Sequence, residues 1–276
     1  MTNAFEFRNV SKHFPGFSLE NLSFSLPGGC IMGLIGENGA GKSTTIGLLL
    51  GLLRHNSGEI RLLGGEVCDE RLQDVGAVLD DAQFPDCLNA ADVGRTLCLT
   101  YRSWNQQTYD GYLDRFHLPR DKAIKTYSRG MKVKLMLAAA LSHDAKLLVL
   151  DEATSGLDPI VRDEILDILI EYTRDEDHSI LISSHITSDL EKICDIVAFL
   201  HEGRLVFCQE KDELLDDHAL ISGSEADLRA LPEDAILGVR RTPYGAQALV
   251  ARSRVPAGFE CDRATLEDII LYMSRE

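Results

Sequence analysis

Apolar residues alternate with polar ones at the start of the chain. Residues 4–10 and 17–26 predict β-strands, the second with Leu22, Phe24 and Leu26 on one face, and residues 30–35 predict a third strand after a Pro27-Gly28-Gly29 turn. From Lys42 the period changes: Ile46, Leu49, Leu50 and Leu53 fall on one helical face, and Asn56-Ser57-Gly58 is expected to end that helix. A strand near 75–79 precedes a long helical stretch at about 90–116, where Leu97, Tyr101, Trp104 and Leu113 are available for packing. A helix over 128–142 leads into the apolar run 146–151, the pattern of a strand covered on both faces, and Pro159 opens a helix reaching about 174. Strand 179–183, helix 186–193 and strands 195–200 and 204–208 continue the alternation, which predicts an α/β fold around a largely parallel sheet. Beyond about residue 210, Pro232, Pro243, Gly245, Pro256 and Gly258 separate short β-like runs, and a last helix is expected near 264–274. This part reads as a small α/β appendage.

Composition narrows the function classes. A chain of 276 residues, 45% hydrophobic and 26% charged, can bury a core and is neither disordered nor fibrous. The apolar stretch Leu135-Met136-Leu137-Ala138-Ala139-Ala140-Leu141 falls short of the ~18 residues of a membrane span. The amino terminus lacks the basic start and apolar run of a secretory signal, so a cytoplasmic location is expected. A formal charge of -16 argues against nucleic acid as a partner, because that attraction depends on Lys and Arg meeting phosphate. Seven scattered cysteines without a Cys-x-x-Cys pair predict reduced thiols, mostly core filling, in place of a zinc cage or disulfide framework.

The candidate chemistry begins at Gly36-Glu37-Asn38-Gly39-Ala40-Gly41-Lys42-Ser43, the phosphate-binding pattern Gly-x-x-x-x-Gly-Lys-Ser. Its glycines let successive backbone N–H groups curl around phosphate oxygens, and the helix that follows points its positive end at them. Lys42 is placed to reach the β- and γ-phosphates and the Ser43 hydroxyl to meet Mg²⁺. The run Leu147-Leu148-Val149-Leu150-Asp151-Glu152 delivers carboxylates at the C-terminal edge of a buried strand, where open α/β sheets bind ligands. Asp151 suits a hold on Mg²⁺ and Glu152 suits polarising a water.

Three further segments stand in order around these: Ser128-Arg129-Gly130-Met131 at a helix start, Ser155-Gly156-Leu157-Asp158 after the acids, and Ser183-Ser184-His185 after an apolar strand. Over residues 4–210 the chain resembles the ATP-binding subunits of ABC transporters, of the bacterial exporter type. The resemblance implies a P-loop NTPase fold of the ABC ATPase type in residues 1–210, with an antiparallel β subdomain and a helical subdomain at about 88–142. Residues 211–276 would then form a small C-terminal α/β accessory domain.

The resemblance also implies ATP and Mg²⁺ as cofactors and a set of roles. Phe14 stacks on adenine; Gly36, Glu37, Asn38, Gly39, Ala40, Gly41, Lys42, Ser43 and Thr44 hold the nucleotide. Ser43, Asp80 and Asp151 serve the metal, Glu152 is the general base, Lys42 offsets phosphate charge, and His185 contacts the γ-phosphate. Ser128 and Gly130 complete the ATP site of an opposite subunit. The implied partners are a second ATP-binding subunit, like or unlike, and a multi-span membrane permease that holds the chain on the inner face of the cell membrane. The expected function is ATP hydrolysis that powers export of a drug-, peptide- or lipid-like substrate. A soluble ABC-type ATPase and a regulatory ATP binder are the alternatives. Two departures from the family pattern stand out: Asp80 replaces the usual glutamine after the strand near 75–79, and the signature's Ser-Gly-Gly-Gln is Ser128-Arg129-Gly130-Met131.

Overall fold

The computed structural model describes residues 3–79, 84–242 and 245–274. Strands β1 (Asn3–Phe14) and β2 (Phe17–Pro27) pair antiparallel across a Pro15-Gly16 turn, with Phe14 opposite Phe17. Strand β3 (Ile31–Ile35) is buried along its whole length and feeds α1 (Lys42–Leu49). Strands β4 (Ser57–Leu62) and β5 (Gly65–Glu66) then complete a four-stranded sheet in the order β2-β1-β4-β5. The helix stop expected at Asn56-Ser57-Gly58 is therefore the entry to a strand. Gly58 has φ 91° and lies against β1 so closely that a Cβ there would come within 2.4 Å of the Asn9 carbonyl oxygen, a position open only to glycine. Rings of Phe7 and Phe24 stack at 5.0 Å across this sheet, with Phe5 edge-on to both.

After α2 (Asp69–Leu72), β6 (Val75–Val78) leads to α3 (Ala90–Thr100), α4 (Gln106–Arg115) and α5 (Arg129–Ala140). The helical stretch expected over about 90–116 is divided into two helices, because Tyr101 takes extended backbone geometry and Asn105 caps a new start by accepting from the Thr108 N–H at 3.0 Å. Strand β7 (Leu147–Asp151), α6 (Pro159–Tyr172), β8 (Ser179–Ser183), α7 (Thr187–Ile193), β9 (Ile196–His201) and β10 (Arg204–Glu210) follow the order read from sequence. They form a six-stranded sheet, β10-β9-β3-β8-β7-β6, parallel throughout except at the β10 edge. Successive residues of a strand point to opposite faces. Leu148, Leu150, Ile180 and Ile182 accordingly pack with α5 and α6, whereas Leu147, Val149 and Leu181 join α1 and the antiparallel sheet in a second core.

The remaining chain forms α8 (Lys211–Asp217), β11 (His218–Gly223), α9 (Glu225–Arg229), β12 (Ile236–Thr242), β13 (Gly245–Ala251), β14 (Asp262–Arg263) and α10 (Leu266–Met273). Its antiparallel sheet, β12-β13-β11-β14, is separate from the others and has a small core of its own around Ile221, Leu228 and Val250. Leu214, Leu215, Leu266, Ile269 and Tyr272, however, belong to the main core. The Leu266 N–H donates to Glu191 Oε2 on α7 at 3.2 Å. Among the described residues no helix is long and apolar enough to cross a membrane. The thiols depart from the expectation of core filling: Cys68, Cys87 and Cys98 are exposed, Cys194 is buried, and burial pushes the Cys208 thiol up to about 11.

His143 sits between α5 and β6, stacked on Tyr101 at 3.9 Å, with Nε2 3.2 Å from the Val75 carbonyl and Nδ1 3.3 Å from that of Ala139. Burial holds its pKa below the ordinary 6.5, against the opposing pull of the two carbonyls. The unfolded chain therefore takes up a proton that the folded chain refuses, and stability is expected to fall as pH drops below 6.5. Urea midpoints measured from pH 7 to about pH 5 should decline less steeply in His143→Phe than in the unsubstituted protein.

Candidate functional site

The turn from β3 into α1 is shaped by two close approaches. A Cβ on Gly36 would lie 2.6 Å from the Leu200 carbonyl oxygen, and one on Gly41, at φ 109°, would lie 2.4 Å from Leu19 Cδ2. Gly41 is the N-cap of α1, so the unpaired N–H groups of the first helical turn open onto the concave side of residues 36–43. Lys42 is only 6% exposed, and its ammonium donates to the Gly36 carbonyl at 2.8 Å and lies 3.4 Å from that of Glu37. A cleft of about 580 Å³ is lined by Glu37, Asn38, Gly39, Gly41, Lys42, Ser43 and Thr44, with Phe17 and Glu152 on its flanks. Such a nest of amides around a buried cation is built for a polyanion.

The acids arrive from β7. Asp151 is buried and accepts from Ser183 Oγ at 2.5 Å. Glu152 has φ 50°, unusual for a side chain of this type, and is held there by its N–H, which meets both Oγ (3.1 Å) and the carbonyl oxygen (3.2 Å) of Ser183. The Glu152 carboxylate is divided between two neighbours. Oε1 lies 3.3 Å from Lys42 Nζ, and Oε2 lies 2.6 Å from Nδ1 of His185. Oε1 is buried without a hydrogen bond, so the Lys42 contact is charge attraction without hydrogen-bond alignment. His185 is 51% exposed side chain, and because an ionised carboxylate only accepts, Nδ1 carries the proton of that contact. Lysine, two acids and a histidine thus converge on one edge of the sheet.

Comparison with known proteins decides what this edge belongs to. The ABC transporter family profile matches residues 19–155. The uncharacterized ABC transporter ATP-binding protein YhcH of Bacillus subtilis is 34% identical over 229 residues, covering 79% of this chain and 74% of that protein. The lantibiotic transport ATP-binding protein SrtF of Streptococcus pyogenes is 36% identical over 196 residues, 70% of this chain and 85% of that one. This chain belongs to the family of ABC transporter ATP-binding proteins. A solved ATP-binding subunit of an ABC transporter superposes with a TM-score of 0.71 at 26% identity, over 77% of this chain and 92% of that one. The protein is an ABC-type ATPase, and its nucleotide is ATP.

Not every residue expected at the site lines the phosphate cleft. Phe14 lines an adjoining cleft of about 600 Å³, together with Phe17, Glu20, His201, Glu202 and Arg204. Ser128 is exposed at the N-cap of α5, where its Oγ accepts from the Met131 N–H at 3.3 Å, and Gly130 faces Leu157 and Val161. Gly130 stands beside the 155–158 loop, and neither residue lines the phosphate cleft. Arg129 in the altered signature lies along that same loop: a Cβ on Gly156 would meet its Nη1 at 3.1 Å. Asp80 lies outside the described residues.

Read from sequence, Ser183 has no role of its own in the segment before His185, although it binds both acids. Its parallel register opposite Asp151 is the signal, and register is visible only once strand order is known. Replacing Ser183 with Ala removes the donor to Asp151 and is expected to lower stability by about 1–3 kcal/mol, read from urea unfolding, and to reduce turnover. Gly41→Ala forces both a strained φ and a clash with Leu19. Calorimetric titration with ATP should show at least a tenfold loss of affinity, corresponding to about 1.4 kcal/mol or more.

Proposed function

We propose that this ATPase works as one of a pair of subunits, two copies of the chain or one copy with a related chain, that close on ATP and drive a separate multi-span permease. Hydrolysis is carried by the Lys42–Glu152–His185 constellation, the single observation on which the reading rests. Lys42 and the amides of residues 36–44 bind and orient the triphosphate. Glu152 accepts a proton from water attacking the γ-phosphate, and His185, hydrogen-bonded to that carboxylate, orients it and reaches the same phosphate. The donors available for a metal are the Ser43 hydroxyl and the Asp151 carboxylate aimed by Ser183. This oxygen-only pair suits Mg²⁺, which takes few protein ligands beside phosphate and water and would neutralise charge on the phosphates. Ser128 and Gly130, at the start of a helix and not among the residues lining the chain's own cleft, are available to the ATP of the opposite subunit.

Docking to the permease falls to the helical layer. Leu97, Tyr101, Phe84, Met136 and His143 line a mainly apolar hollow of about 200 Å³, and Leu99 beside it on α3 is 90% exposed. An apolar recess on the layer between β6 and β7 suits a short helix of a membrane partner, which would hold the chain at the inner face of the cell membrane. Similarity to a lantibiotic transport protein favours export of a peptide- or lipid-like antimicrobial, with residues 211–276 as an accessory domain. Glu152→Gln is expected to lower ATP turnover by about 10²-fold or more while ATP binding persists. Light scattering should then find an ATP-dependent pair of chains. Turnover retained in this variant rules out Glu152 as the base.

A further inference from the structure

The phosphate cleft and the Phe14 cleft share one lining residue, Phe17. Phe17 is half-buried and packs one side on the second core, and a Cβ on Gly41 would lie 3.0 Å from its Cζ, so the ring edge rests on the phosphate loop itself. From there it turns toward Phe14: the two ring centroids are 6.5 Å apart with planes 26° from parallel, as the tight Pro15-Gly16 turn dictates for residues paired across it. Phe14 is exposed and carries the Lys12 ammonium 5.0 Å from its ring centroid. A nucleotide with its phosphates on residues 36–43 leaves the cleft past Phe17 before it reaches Phe14.

We propose that Phe17 forms the inner half of a two-ring platform for the base of ATP, with Phe14 as the outer half. The two rings hang from one hairpin tip, and the inner ring is fixed by its contact with the loop that binds the phosphates. Base and phosphate positions are thereby set by a single rigid unit. Selectivity for a planar base over a bare polyphosphate follows, because only the base presents a ring face that can stack.

The proposal rests on the phosphate-site reading of residues 36–44, and the experiment separates the two. Mg²⁺-ATP and Mg²⁺-tripolyphosphate, which has the charge and no base, are titrated calorimetrically at up to millimolar concentrations. Unsubstituted protein, Phe17→Leu and Phe17→Trp are compared. Leu keeps an apolar side chain against Leu19 and removes the ring. ATP affinity is expected to fall about 5- to 100-fold in Phe17→Leu, with tripolyphosphate affinity unchanged within about twofold, and Phe17→Trp is expected to keep or tighten ATP binding. Equal losses for both ligands in Phe17→Leu, or no loss for either, overturn the platform and leave Phe17 as packing beneath the loop. Weakened ATP binding in Phe17→Trp with tripolyphosphate unchanged also overturns it. Failure of both ligands to bind the unsubstituted protein removes the phosphate site, and the platform with it.

Discussion

The arrangement of the site depends on one buried ammonium. Moving a lysine charge out of water costs several kcal/mol unless partners surround it, and Lys42 finds them in the Gly36 and Glu37 carbonyls and in the Glu152 carboxylate. The carbonyls require residues 36–37 to curl back over the helix start, which brings Gly36 against the Leu200 backbone and Gly41 against Leu19. The carboxylate requires a strand two places away in the sheet to end at the same level as β3. Parallel register supplies that level: Leu34, Ser183 and Asp151 form one row across β3, β8 and β7. Lys42, Glu152 and His185 then all fall just beyond the C-terminal ends of adjacent strands, the edge at which open α/β sheets bind ligands.

Glu152 answers to both neighbours at a conformational cost. Its positive φ is worth roughly 1–3 kcal/mol of strain, held in place by Ser183. The strain turns the carboxylate so that one oxygen faces Lys42 and the other His185. The Lys42 contact lacks hydrogen-bond alignment, whereas the His185 contact is a short hydrogen bond.

Sequence legibility followed burial. The strands buried on both faces, β3, β7 and β8, were readable to within a residue or so because continuous apolar runs bounded by turn residues leave little choice. Strand β4 was not readable, since Ser57-Gly58 carries the composition of a turn, and only its antiparallel pairing with β1 makes it a strand. The break between α3 and α4 was hidden for the opposite reason: apolar periodicity carries across it, and the Asn105 cap is a local signal weaker than the packing pattern. The convergence of residues 36–43 with Glu152 could be expected from sequence because their residue types and spacing are those that phosphate binding requires. Ser183 and Phe17 could not. One depends on strand register and the other on a hairpin tip folding over Gly41.

Helix α7 ties the reactive edge to the rest of the molecule. It begins just after His185 and is held on one side by α6: Lys192 pairs with Asp163, and the buried Asp189 pairs with Arg162 at 3.6 Å. That second pair is imperfect, with Asp189 Oδ2 and Arg162 Nε both lacking hydrogen bonds, and an under-satisfied buried pair is sensitive to small shifts in separation. On the other side Glu191 accepts from the Leu266 N–H at the start of α10, and its carbonyl accepts from Lys211 Nζ. Helix α10 therefore bears on α7 directly, with Leu266 and Ile269 in the shared core. Through that contact α10 presses on the helix that carries the Asp189–Arg162 pair and begins two residues after His185. The described residues beyond 210 are thus joined to α7 through α8 and α10, although their sheet is separate from the other two.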